Sequence, residues 1–183
     1  SEVEEVLRRI EELLREDKRH VEEVVREIRE LLKRNKDMVD EVLKRIEDLL
    51  REIDEARKRG DLREKAVEDL LRTVEELVRR AEEHTERLLE RVERLLERNK
   101  EHSERVLEEV KRLIDDVKRK VKDVEEVIRK LDDILRKVKR VSEDNKRETD
   151  KVREEVAEVV KRSKDKLDKV RKDVKRVIER VRT

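Results

Sequence analysis

Residues 84–103 read HTERLLERVERLLERNKEHS, and in them Leu and Val recur at helical spacing while His84, Thr85, Asn99, His102 and Ser103 interrupt the apolar stripe. His84 and Thr85 return as His102 and Ser103 eighteen residues later. The same period runs through the N-terminal third. Val3, Val6, Leu7, Ile10, Leu13 and Leu14 are followed by Val21, Val24, Val25, Ile28, Leu31 and Leu32, then by Val39, Val42, Leu43, Ile46, Leu49 and Leu50. Eighteen residues in five turns is 3.6 per turn, the winding of an unstrained α-helix, whereas a heptad repeat demands 3.5 and a left-handed supercoil. The helices are therefore predicted to be nearly straight, with an aliphatic stripe of roughly 140° on the first that narrows to about 100° in the second half of the last, and with a charged opposite face.

The chain has 183 residues, 58% of them charged, and no Phe, Trp, Tyr, Pro or Cys. An apolar fraction of 33% is low, but its periodic placement separates the chain from disordered polyampholytes. Lys and Arg number 54 against 53 Asp and Glu, interleaved throughout, so no basic field draws the chain to nucleic acid, and no stacking aromatic waits for a base. The absence of Cys removes disulfides and thiolate metal sites and leaves the compartment unassigned. No apolar run approaches a membrane span, and the acidic N-terminus is unlike a secretory signal.

Three capping-box spacings, Ser1 with Glu4, Asp61 with Glu64 and Asp123 with Glu126, mark helix starts, and Asp61 is read as an N-cap. Arg59-Gly60-Asp61 carries the chain's single glycine, suited to a left-handed position just past a helix end. Lys118-Arg119-Lys120 before Asp123 places a second turn, with 118–123 expected to be non-helical. The expectation is an all-α, antiparallel up-down-up bundle of three nearly straight helices of about 58 residues, giving a rod roughly 87 Å long. The helices are placed at about 2–58, 62–119 and 124–182, in one domain spanning 1–183. All three stripes, including Ile128, Leu131, Ile134 and Leu135 of the third, are expected to be buried, so no partner chain is required and a monomer is expected.

With turns near 60 and 122, residues at one level have numbers adding to about 120 for the first two helices and about 244 for the second and third. Asp17, His20, Asn99, His102, Ser103, Ser142 and Asn145 then share one level. Asn35, His84, Thr85 and Ser163 share another. These are read as two structural polar networks, because a buried amide or imidazole is costly without a partner and a polar layer fixes register in a repetitive aliphatic core. Asp17, His20 and His102 are nitrogen and oxygen donors at one level, but no two histidines lie one turn apart on a helix, so no metal site is assigned. No nucleophile or oxyanion site accompanies them, so neither catalysis nor a cofactor is assigned. A contact of Asp17 with His20 or His102 is expected to raise the imidazole pKa and make that layer the more acid-tolerant.

The repeat, the capping boxes, the surface of Glu, Lys, Arg and Asp and the matched polar notches resemble those of computationally designed helical bundles with buried hydrogen-bond networks. That resemblance covers the whole chain and implies a scaffold with no natural substrate. The alternative it implies is an interaction or switch module working by helix exchange, heteromer formation or pH response, with a designed helical partner. Spectrin-like repeats are similar in topology, but the aromatic core positions of such rods are missing here. Valine is more frequent than that resemblance leads one to expect, most of all in the third helix.

Overall fold

Each helix end carries the charge that its dipole favours. In the computed structural model, which describes residues 2–121 and 125–182, the elements are α1 (Glu2–Lys58), α2 (Glu64–Lys120) and α3 (Glu125–Arg182). Glu2, Glu4 and Glu5 open α1, and Arg57 and Lys58 close it. Lys118, Arg119 and Lys120 close α2, while Glu125 and Glu126 open α3. Acids near the exposed N–H groups and bases near the last carbonyls each stabilise an end by a few tenths of a kcal/mol. Valine-rich helices need more than propensity, and the stability of helices this long comes from burying the stripe.

The first turn is a Schellman motif. Gly60, at φ +69°, donates its N–H to Arg57 O at 3.2 Å, and the Asp61 N–H reaches back to Ala56 O at 3.0 Å. This corrects the reading of Asp61 as N-cap. Its backbone donor completes the end of α1, the chain needs two further residues to reverse, and the carbonyl of Arg63 accepts the first bond of α2 from Val67 N at 3.1 Å. The second expected turn is also shorter than read, because residues 118–120 are helical and Val121 N still bonds Val117 O at 3.1 Å. The basic triplet is thus the last helical turn itself, where cations meet unpaired carbonyls. The caps read at Ser1 and Asp123 lie outside the described residues.

The chain divides into two compact units, Ser1–Arg29 with Val92–Glu154, and Glu30–Arg91 with Glu155–Thr183. In the first unit, as the α1 partner advances from Asp17 to His20, its α2 partner retreats from Ser103 to Asn99, so these helices are antiparallel. Glu11 with Lys137 and Asp17 with Asn145 advance together, so α1 and α3 run parallel. In the second unit Lys166 meets Asp40 at 2.9 Å and Arg180 meets Asp54 at 3.8 Å, again in parallel order. The three-helix, up-down-up arrangement follows.

The first unit is filled by Ile10, Leu13, Leu14, Val106, Val110, Ile114, Leu131 and Ile134, and the second by Val39, Ile46, Leu49, Val74, Val78, Ala81, Leu167 and Val170. Among the described residues two large side chains of the stripes depart from the expected burial: Ile128 is 59% exposed and Leu135 40%. Both lie on one edge of the α3 stripe, about 40–60° from Leu131, outside the wedge that two neighbouring helices cover. Ala66 of the α2 stripe is exposed as well, within the first turn of its helix.

Candidate functional site

The polar side chains buried in this bundle gather in two layers, one in each unit. Asn35 is fully buried, and Asp17, Thr85, Asn99, Asn145 and Ser163 are all less than a tenth exposed. His20, His84 and His102 are half-buried at the stripe edges.

In the first unit the layer is built on Asp17, which α1 directs at both neighbouring helices. Ser103 Oγ on α2 donates to Asp17 Oδ1 at 2.7 Å, and Asn145 Nδ2 on α3 donates to Asp17 Oδ2 at 2.8 Å. Each carboxylate oxygen thus has its own donor from a different helix. Beside this triad, His20 Nδ1 donates to Asn99 Oδ1 at 3.0 Å, and the rings of His20 and His102 stack with centroids 4.2 Å apart and planes tilted by 30°. The level expected to hold one network holds two hydrogen-bonded sets. Ser142 is half-buried on the same level and makes no side-chain hydrogen bond among the described residues.

The second unit's layer is built on Asn35. Its Oδ1 accepts from His84 Nδ1 at 2.8 Å and from Thr85 Oγ1 at 3.4 Å, and Thr85 also bonds Ala81 O at 2.9 Å. Among the described residues Asn35 Nδ2 has no partner, and neither does His102 Nε2 of the first layer. Ser163 is buried but bonds none of the other three.

Serine on α3 leaves space beside each layer. In the first unit a groove of 410 Å³ lies between α2 and α3, with Asp17, Asn99, Ser103, Ser142, Asn145 and Thr149 among its lining residues. In the second a groove of 440 Å³ is lined by Thr85, Ser163, Leu89 and Leu167, flanked by the ion pair of Glu82 with Arg171. Among the described residues no three His, Cys, Asp or Glu side chains are grouped so as to hold a metal ion.

Burial lowers the His84 pKa from its ordinary value, with a smaller push from Arg87. Burial also lowers that of His102, followed by repulsion from His20 and Arg105, and these outweigh the opposing pull of Asp17 and Glu16. Asp17 pulls the His102 value up, as a carboxylate at this level is expected to, but does not reverse the lowering. The Asp17 oxygens are turned toward Ser103 and Asn145, and the neighbour in closest ring contact is another imidazole.

The periodicity explains one feature that pairing by level missed. Asn35 stands eighteen residues after Asp17, Ser163 eighteen after Asn145, Thr85 eighteen before Ser103 and His84 eighteen before His102. The second layer is therefore the first one moved by one repeat, with Ala81 in place of Asn99, Met38 in place of His20 and Val160 in place of Ser142.

Among solved structures the chain is similar to one described as a computationally designed three helix bundle, with a TM-score of 0.72 at 17% identity over 98% of this chain and 90% of that one. No protein-family model and no curated protein matches it. At this identity the likeness is one of fold. No helix among the described residues is long and apolar enough to cross a membrane.

Proposed function

We propose that this chain is a designed structural scaffold, one three-helix domain over 1–183 in which an aliphatic core supplies stability and the two polar layers supply register. The observation that carries this reading is the strictness of the repeat in three dimensions. Ile10, Ile28 and Ile46 are each 0% exposed, and Val21 and Val39 are each 1% exposed. In another column of the same period stand Asp17, Asn35 and Ile53, so polar groups occupy positions that the core pattern reserves for an aliphatic residue. Such a substitution lowers stability but rejects packings in which the polar groups lose their partners. The likeness to a designed three helix bundle supports the same reading.

The expected behaviour is a monomer of 22.4 kDa that unfolds in one transition, because every helix runs unbroken through both compact units. A melting temperature above about 90 °C is expected from a core of this length. Light scattering and calorimetry check both statements. Two separated transitions contradict the single domain, and a mass that rises with concentration contradicts the self-contained scaffold.

A second reading, an interaction module that accepts a partner helix, is favoured by Ile128 and Leu135, the large aliphatic side chains left exposed on one edge of α3. Titration with amphipathic helices, read by light scattering, separates the two. Replacing both residues with Lys removes association under the second reading and leaves the scaffold unchanged under the first.

A further inference from the structure

The turn that joins α1 to α2 presents Arg59, Gly60 and Asp61 at a helix-to-helix corner, and all three are exposed. Their backbone is fixed. The Gly60 N–H bonds Arg57 O, the Asp61 N–H bonds Ala56 O, and Gly60 holds φ +69°. Their side chains, by contrast, are uncommitted, since neither the Arg59 guanidinium nor the Asp61 carboxylate makes a hydrogen bond or ion pair among the described residues. Nearby Arg57 is engaged with Asp54 at 3.8 Å and does not neutralise Asp61. A Cβ placed on Gly60 would meet no atom within 4 Å, so the space over the glycine is open to an approaching surface.

A fixed turn with a guanidinium on one side of a bare glycine and a carboxylate on the other has a specific complement. The carboxylate is a hard oxygen ligand that can fill an open position on a protein-held Mg²⁺ or Mn²⁺. The guanidinium forms bidentate pairs with a carboxylate a few ångströms away. The two Cα atoms are separated by two peptide units, at most about 7 Å, so both groups can be read at once by one receptor surface pressed against the glycine. Because hydrogen bonds already fix the turn, less conformational entropy is lost on binding than with a flexible peptide.

We propose that the Arg59-Gly60-Asp61 corner is a ligand for a receptor surface that sets an acidic pocket beside a protein-held divalent cation with a vacant coordination site. This activity is independent of the scaffold reading, because it uses only exposed atoms outside the helices. The test is binding of the full chain to the immobilised ectodomain of an integrin that reads Arg-Gly-Asp, in buffer with Mn²⁺, measured by biolayer interferometry beside Asp61→Glu and Arg59→Ala. Asp61→Glu keeps the charge but moves the carboxylate by one methylene, and at an exposed turn position it leaves the fold intact, which circular dichroism checks. Saturable binding by the parent, weakened at least about tenfold in each variant, is expected if each charged contact contributes 1.4 kcal/mol or more. Chelation by EDTA and competition by a linear Arg-Gly-Asp peptide are expected to abolish it. No saturable binding by the parent overturns the proposal, and so does binding that survives EDTA or is equal in the parent and Asp61→Glu.

Discussion

The two polar layers share their positions in the eighteen-residue repeat, yet they connect the helices differently. In the first unit Asp17 brings two acceptor oxygens, and donors arrive from α2 through Ser103 and from α3 through Asn145. In the second, Asn35 brings one acceptor oxygen, both of its donors come from α2, and Ser163 of α3 bonds none of the other members of the layer. Exchanging a carboxylate for an amide at one repeat position therefore changes a tie among three helices into a tie between two. It also turns one oxygen into an N–H₂ group that faces no acceptor. Chemistry within a layer, and not its place in the repeat, decides which helix is held.

The sharpest way to break this comparison is to remove the α3 member of each layer. Asn145→Ala leaves Asp17 Oδ2, on a residue 3% exposed, without its donor, and a loss of about 3 kcal/mol is expected from a buried charged acceptor left unpaired. Ser163→Ala removes a hydroxyl that makes no hydrogen bond among the described residues, so a change within about 0.5 kcal/mol is expected. Urea denaturation of the two variants measures the difference, and equal losses would erase the distinction between the layers.

A smaller effect of opposite sign is expected at the centre of the second layer. Asn35→Leu removes the buried Nδ2 that has no partner and adds aliphatic volume at 0% exposure. Thr85 keeps its bond to Ala81 O, and the half-buried His84 can turn to water. Stability is expected to rise by about 1 kcal/mol, since an orphaned buried donor costs 1–3 kcal/mol. A fall of similar size would show that the pair of bonds to Asn35 Oδ1 is worth more than the orphan costs.

The smallest effect is the response to acid. His84 and His102 both have folded-state pKa values below the ordinary 6.5, in each case mainly through burial, so folding favours their neutral forms. Their contribution is fully present above about pH 6.5 and is lost as the pH falls through the unfolded pKa toward the lower folded one. Both layers are thus expected to lose stability in mild acid, because the pull of Asp17 does not reverse the lowering at His102. Denaturant midpoints at pH 7.5 and 4.5 check the sign, and His84→Asn and His102→Asn are each expected to flatten the difference. An unchanged slope in both variants would show that other groups carry the pH dependence.

Much of this architecture was legible because one period controls it. The Ile10, Ile28 and Ile46 column, the Gly60 turn and the levels of Asp17, Asn99, Ser103 and Asn145 all follow from spacing and chain reversal. Spacing says less about where a helix yields to a turn. Asp61 has the residue type of an N-cap, but the Schellman bonds of Gly60 and Asp61 delay α2 to Glu64. Nor does it report side-chain direction. Ser142 and Ser163 lie at the right levels without joining a network, and Ile128 and Leu135 fit the stripe but fall outside the wedge that α1 and α2 cover. These outcomes depend on rotamers and on tens of degrees around the helix axis, which a residue number resolves only to 100°.

The claim that the Asp17 layer ties α3 to α1 is tested most directly by a double-mutant cycle between Asp17 and Asn145, using Asp17→Leu, Asn145→Leu and the pair, with stabilities from urea denaturation. Each single variant strands a buried group of its partner, whereas the double variant replaces both by aliphatic side chains, so a coupling energy of about 2 kcal/mol or more is expected. A coupling within about 0.5 kcal/mol of zero, the range seen for distant and independent sites, would contradict it.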